Sequence, residues 1–317
     1  MQKNRFLTLA LSGVLALGVA ACGDDEESGS GSAGGAASGE KLSGTIAIDG
    51  SSTVFPFAQA AAELFREEQP DVNVTVGESG TGGGFEKFCA GETDISNASR
   101  PIKDDEEVPV CKKAGVTYKE LAIANDGISI VANPSLEVEC LTVEQLSQLW
   151  KDDKVTDYGD LGVDGLSGEV SLYGPGTDSG TFDFFTDVIN GEEGVSRKEY
   201  QPSEDDNILV QGVAGDQTAM GYFGFTYYEE NADKLKLVSV DNGDGCVAPS
   251  VETIQDGSYA PLSRPLFMYP SDKALERPEV KAFMDFIAEN HAAIAEAAAY
   301  VPLTEEQAAE VEGALAG

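Results

Sequence analysis

Three times along this chain a short strand pattern runs into a loop of glycine, serine and threonine and then into a helical pattern. That repeated unit constrains the fold more than any other feature. In the first, Thr45-Ile46-Ala47-Ile48 leads through Gly50-Ser51-Ser52-Thr53 to apolar residues at Val54, Phe57, Ala58, Ala61, Leu64 and Phe65, which is helical spacing. In the second, Val72, Val74 and Val76 alternate as a strand, Ser79-Gly80-Thr81-Gly82-Gly83-Gly84 forms the loop, and Phe85-Glu86-Lys87-Phe88 opens a helix. In the third, Val170-Ser171-Leu172-Tyr173 and Gly174-Pro175-Gly176 precede Thr177-Asp178-Ser179-Gly180-Thr181, with a helix through Phe182, Phe185, Val188 and Ile189. Strand–loop–helix repetition predicts α/β layers with mainly parallel sheets. Thr142-x-x-Gln145 and Thr304-x-x-Gln307 read as capping boxes. Val280, Phe283, Met284 and Ile287 place a further helix over 278–300.

The chemistry lies in the loops. Glycine lets a backbone approach a ligand closely, hydroxyls donate short hydrogen bonds, and the unpaired amides of a helix's first turn carry partial positive charge. Such a loop is an anion seat, although one alone is also an ordinary helix cap. In open α/β sheets, loops at the carboxyl ends of strands gather at one crevice, which is where all three fall. Other glycine-rich readings fail. Gly77 to Gly82 has the frame of a nucleotide P-loop, but Gly83-Gly84 stands where Lys-Ser/Thr is required. Gly77-Glu78-Ser79-Gly80-Thr81 lacks the final glycine of a nucleophile elbow.

Composition narrows the function further. Twenty Lys+Arg against 56 Asp+Glu give a formal charge of −36, which argues against a nucleic-acid partner. The single His291 lies among alanines on the 278–300 helix, so a serine or cysteine triad and a multi-histidine zinc site are both disfavoured. The 41% hydrophobic content supplies a core, and 317 residues fit two lobes better than one.

The N-terminus reads as an address. Lys3 and Arg5 precede an apolar run from Phe6 to Val19, too short for a membrane span of roughly 20 residues. Val19-Ala20-Ala21-Cys22 then resembles a bacterial lipoprotein signal, with residues 1–21 removed and Cys22 lipidated. Losing Lys3 and Arg5 takes the charge from −36 to −38. Residues 22–40, glycine, serine, alanine and acid, form a flexible tether spanning about 25 Å. Cys89, Cys111, Cys140 and Cys246 remain, an even number that suggests two disulfides with three connectivities open. No Cys-x-x-Cys pair or nearby histidine suggests a metal, and no cofactor motif is present.

The stretches DGSSTVFPFAQAAAELF, GESGTGGGFEKFCAGETDISNASRPI, GPGTDSGTFDFFTDVI and AMGYFGFTYYE resemble, in order, the phosphate-binding proteins of bacterial phosphate ABC importers, the PstS family. The resemblance runs from about residue 42 to the C-terminus. It implies a type II periplasmic-binding-protein fold: two α/β lobes joined by two hinge crossings and closing on one phosphate ion. Carried over by position, the seat comprises the hydroxyls of Ser52 and Thr53 with the Val54 amide, then Thr81, Ser99 and Arg100, then Ser179, the Gly180 amide and Thr181. Ser51 and Ser79 are secondary candidates. Many members carry an arginine where this chain has Pro175, and an aspartate where it has Ser99. The resemblance to a Ser-Arg-Pro subgroup implies that Arg100 supplies the missing guanidinium. A carboxylate must still accept the proton that phosphate carries and sulfate lacks; Asp126, Asp178 and Glu78 are the candidates, Asp126 favoured for its place near a hinge.

Crossings are expected near Leu121–Ile128 and Ser258–Leu266, where apolar strands meet glycine, proline and serine. This assigns 41–126 and 263–317 to one lobe and 127–262 to the other. Pairing Cys89 with Cys111 and Cys140 with Cys246 keeps each disulfide inside a lobe, whereas Cys89–Cys140 would resist opening. The expectation is a monomeric extracytoplasmic lipoprotein, in the periplasm or on the cell surface. It captures inorganic phosphate and delivers it to an ABC permease without covalent chemistry. The alternatives are a secreted phosphatase using Ser179 with Asp178, and a receptor for another tetrahedral oxyanion such as sulfate.

Overall fold

The computed structural model describes residues 41–151 and 153–317. The expected leader 1–21, the lipidated Cys22 and the tether 22–40 lie outside the described residues.

β1 (Gly44–Gly50), α1 (Phe55–Glu68), β2 (Val72–Val76), α2 (Gly80–Cys89) and β3 (Ile95–Ala98) form two strand–helix–strand units, with β1 parallel to both β2 and β3. Parallel strands need a crossover, and the amphipathic α1, burying Phe57, Ala58, Ala61 and Phe65, supplies the first. α2 begins at Gly80, earlier than its glycine content suggests, so most of the second expected loop is already helix. A Cβ on Gly84 would lie 2.5 Å from the Gly50 Cα. That glycine-on-glycine approach seats α2 against the end of β1.

α3 (Glu107–Ala114) is tied to α2 by Cys89–Cys111, and β4 (Leu121–Ala132) follows. The second lobe contains β5 (Cys140–Thr142), α4 (Val143–Lys151), β6 (Ser171–Pro175), α5 (Gly180–Asn190), β7 (Gln201–Ser203), α6 (Asp206–Gly215) and β8 (Ala219–Gly224). It continues through α7 (Phe225–Glu229), β9 (Lys236–Asp241), β10 (Cys246–Val247) and α8 (Val251–Gln255), and Cys140–Cys246 links β5 to β10. The chain returns through β11 (Ser263–Pro270) and ends in α9 (Asp272–Leu275), α10 (Pro278–Ala297) and α11 (Glu305–Ala316). Both expected disulfides are present, and both expected capping boxes form, Thr142 with Gln145 and Thr304 with Gln307.

β4 and β11 make the crossings. Residues Leu121–Gly127 of β4 pair antiparallel with β11, and from Ile128 onward β4 pairs instead with β8 and β9. Gly127 stands at the change of partner, where a Cβ would lie 2.4 Å from Ile254 Cδ1. The sheet is mixed where a mainly parallel one was expected. β6 is parallel to β7 and β8, and β5 to β9, but the ladders made by β4 and β11 run antiparallel, because those strands traverse the molecule instead of closing strand–helix–strand units.

Separate cores follow from this topology. One packs Phe65 against Phe283 and Phe286, with ring centroids 5.2 and 5.4 Å apart. A second is built on Trp150, Phe185 and Tyr222, the last two stacked at 3.8 Å, and smaller clusters form around Phe85 and Tyr269 and around Leu209 and Phe223. Between α10 and α11, Val301 leaves its neighbours to join the second core and bridges to Asn125 of β4. Thr226 and Gln255 donate to the carbonyls of Ala299 and Pro302 on either side of it, so this short strap also binds the lobes together.

Candidate functional site

α1, α2 and α5 all begin at one cleft of about 530 Å³. From the first lobe it is lined by Ser51, Ser52 and Thr53, by Ser79, Gly80, Thr81 and Gly82, and by Ser99 and Arg100 after β3. From the second lobe, Gly180, Asp183, Phe184, Asp187 and Val188 line it. Those five positions are i, i+3, i+4, i+7 and i+8 of one helix, so α5 offers a single continuous face. The three loops separated along the sequence therefore meet.

The lobes touch where that face begins. A Cβ on Gly180 would lie 2.3 Å from Thr53 Oγ1 and 2.9 Å from the Thr53 backbone, so only glycine allows this approach. Thr53 is held from the other side by the Tyr300 hydroxyl, which donates to its carbonyl. Thr81 and Ser99 form a second hydroxyl pair, with Oγ1 and Oγ 3.0 Å apart and the Ser99 amide donating to Thr81 Oγ1 at 3.2 Å. Ser79 donates to Asp49, which also receives Lys87 Nζ at 2.7 Å. The first loop ends without a side-chain cap on α1.

Two arginines border this cleft, and they differ. Arg100 forks onto Glu107, with Nη1 and Nη2 2.9 and 2.8 Å from its two oxygens. Glu107 raises the Arg100 value further, while the Arg100 fork and the Lys103 amide outweigh burial and hold the Glu107 carboxyl below its ordinary range. Arg264, on β11, stands instead at the floor. Its Nε donates to Asp126 Oδ2 at 3.2 Å, its Nη2 to Thr53 Oγ1 at 3.0 Å and its Nη1 to the Ser99 carbonyl at 3.5 Å. Its Cζ sits 3.7 Å from the centroid of the Phe184 ring. Strand register places Arg264 directly opposite Asp126 across the two crossing strands.

Burial pushes the Asp126 carboxyl above the ordinary range, with Arg264 opposing, and burial lowers Arg264, with Asp126 opposing. An arginine stays charged in a protein, so the pair places a fixed guanidinium at the floor. Asp183, Asp187 and Glu193 are the carboxylates on the same cleft, and for Asp183 burial and Glu193 raise the value while Arg264 holds it back.

Of the residues singled out from sequence, Ser51, Ser52, Thr53, Ser79, Thr81, Ser99, Arg100 and Gly180 line the cleft. Others are engaged elsewhere. The Val54 amide donates to the Ser51 carbonyl at 3.2 Å, and Ser179 Oγ caps α5 by accepting from the Thr181 amide at 3.2 Å. Asp126 is turned onto Arg264, while Asp178 and Glu78 are exposed. Sequence reasoning missed Arg264, Asp183 and Phe184. A signal existed for the first: the two expected crossings carry Asp126 and Arg264, opposite charges inside strands that are otherwise largely apolar. His291 lies on α10 outside the cleft, and among the described residues no group of three His, Cys, Asp or Glu is placed to hold a metal ion. No helix among them is long and apolar enough to cross a membrane.

Known proteins share this architecture. The PBP superfamily domain matches residues 35–291. Protein SphX of Synechococcus elongatus is 45% identical over 262 residues, which are 81% of this chain and 77% of that protein. The phosphate-binding protein PstS of Staphylococcus saprophyticus is 40% identical over 313 residues, 98% of this chain and 93% of that one. The crystal structure of "a possible phosphate binding protein" from Planctomyces limnophilus superposes with a TM-score of 0.82 at 45% identity, covering 87% of this chain and 99% of that one. The chain thus belongs to the PBP superfamily and, within it, to the PstS family of binding proteins.

Proposed function

We propose that the protein is an extracytoplasmic receptor that captures inorganic phosphate in this cleft by lobe closure and delivers it to an ABC importer. The observation that carries the reading is convergence on Arg264: Thr53, Ser99 and Asp126 contact it from the first lobe and the crossings, and Phe184 covers it from the second. The hydroxyls of Ser52, Thr53, Thr81 and Ser99, the Gly180 amide at the start of α5 and the Arg264 guanidinium then surround one tetrahedral anion. Six to eight charge-assisted hydrogen bonds at roughly 1.5–3 kcal/mol each exceed the roughly 8 kcal/mol of micromolar binding. The surplus offsets closure and immobilisation. Exposed acidic charge is screened beyond about 8 Å at physiological salt and does not prevent occupancy.

Asp183 accepts the phosphate proton, because among the carboxylates of the cleft it adjoins Phe184 and interacts with the Arg264 charge, whereas Asp126 is committed to Arg264. Sulfate offers no proton at neutral pH and meets an unshared carboxylate. A hydrolytic role has no support in the geometry, since the Ser179 hydroxyl caps its helix and is not paired with a base. The lobes are assigned as 41–126 with 263–317, and 127–262, which keeps each disulfide within one lobe. Cys22 is the lipid anchor and residues 22–40 the tether of a monomer held at the membrane surface.

Calorimetry of the purified protein with phosphate and with sulfate tests this. Micromolar or tighter phosphate affinity, with sulfate at least tenfold weaker, is expected. Equal affinity for the two ions, or no heat with phosphate, contradicts it.

A further inference from the structure

We infer that Phe184 is a positioning residue whose ring fixes the plane of the anion-binding guanidinium only when the lobes are closed; the inference rests on the phosphate reading above. A guanidinium donates within its plane and leaves its two faces free. The in-plane contacts of Arg264, to Asp126 at 3.2 Å and to Thr53 at 3.0 Å, come from the first lobe and the crossings. They leave the group able to tilt about the line joining those partners, against only the long 3.5 Å contact of Nη1 with the Ser99 carbonyl. Phe184 lies against one face, 3.7 Å from Cζ to the ring centroid, and stops that tilt.

The ring answers to the other lobe. Phe184 belongs to the core that contains Trp150, Phe185 and Tyr222, and it lies one turn beyond Gly180 on the same face of α5. Gly180 meets Thr53 at the cleft while Phe184 meets Arg264, so one helical turn makes both inter-lobe contacts. Opening the cleft carries the ring away from the guanidinium, and closing restores it. The ring is nearly buried, at 7% exposure, and a desolvated cation–π contact is worth more than an exposed one. Ring electron density at position 184 therefore governs how long the closed, anion-bound state lasts. A ring that served packing alone would govern stability and leave dissociation unchanged.

The test replaces Phe184 with 4-fluoro- and 3,4,5-trifluorophenylalanine, which weaken the ring's negative face at nearly constant shape, and compares Phe184→Leu. Phosphate Kd and koff are measured by calorimetry and stopped flow, with Tm as the control on folding. The expected result is a Kd that rises with each added fluorine and reaches about tenfold, carried by koff, while Tm holds; Phe184→Leu falls at or beyond the end of that series. Phosphate binding that is identical across the fluorinated series overturns the inference and leaves the phosphate seat standing. A wild-type protein that binds no phosphate overturns both.

Discussion

The two arginine-bearing regions of the cleft present the same functional group in opposite states. At the rim, Arg100 is local: it follows Ser99 directly, and Glu107, seven residues on, occupies its fork on both arms. The Cys89–Cys111 bridge joins α3, which carries Glu107, to α2, which carries Thr81. At the floor, Arg264 is assembled from afar, with Asp126 lying 138 residues away in sequence and Thr53 lying 211. A guanidinium that gives one donor of each terminal nitrogen to a single carboxylate, and a further Nη1 donor to the neighbouring Pro101 carbonyl, is largely spent on its own segment. One whose carboxylate takes only Nε, and whose other arms reach into the cleft, is still able to bind an anion.

Arg264→Ala should break the comparison most severely. Loss of two charge-assisted hydrogen bonds at roughly 1.5–3 kcal/mol each weakens phosphate binding by about a hundredfold or more. Leaving Asp126 buried and unpaired costs about 3–5 kcal/mol of stability. The Arg264→Gln/Asp126→Asn double variant should recover part of the Tm but not the affinity, which separates the two effects in calorimetry and thermal melts.

Gly180→Val comes next. Its side chain would meet Thr53, whose Oγ1 and backbone lie 2.3 and 2.9 Å from the position of a Cβ. Overpacking of about 1–3 kcal/mol then opposes closure alone, giving roughly a 5- to 150-fold rise in Kd. Small-angle scattering with saturating phosphate should show a less compact protein than wild type.

Asp183→Asn sharpens the floor's chemistry. Phosphate affinity should fall about tenfold, for one charged hydrogen bond, while sulfate binds better, so the ratio between the ions narrows. In the wild type that ratio should shrink as pH falls through the raised Asp183 value, because the protonated carboxyl no longer accepts; the asparagine variant should show no such trend. The sign for stability runs the other way. Burial lifts the folded value above the unfolded one, so this group's contribution to stability is lost as pH rises through the folded value. Asp183→Asn should accordingly help Tm more at pH 7 than at pH 4.

Arg100→Ala should do least. Its pair with Glu107 is partly exposed, and such pairs contribute about 0.2–1 kcal/mol. Phosphate Kd should change less than about threefold by the same calorimetry, and a loss comparable to that of Arg264→Ala would reverse the two roles.

What was legible follows the range of the interactions. The three strand–loop–helix junctions are local, and the loops that hold Ser52, Thr53, Thr81 and Gly180 could be marked from residue type and spacing, while the choice of those four within the loops came from the family resemblance. The disulfides became legible once two lobes were assumed, because only in-lobe pairs permit opening. Arg264 was illegible in its own neighbourhood, Ser263-Arg264-Pro265, because β-strand register with a strand 138 residues earlier gives it a role. Asp183 and Phe184 sat inside a helix already recognised, but which of its faces met the cleft depended on packing against Trp150 and Tyr222. The start of α2 at Gly80 ran against glycine's poor helix propensity, and contact between Gly84 and Gly50 overrode it.

A crystal structure of the phosphate complex tests the central claim most directly. The account predicts one anion between Thr53, Ser99 and the first turn of α5, hydrogen-bonded to Arg264, with Arg100 still forked on Glu107. An anion bound instead to Arg100 at the rim, with Arg264 touching only Asp126 and Thr53, would contradict it.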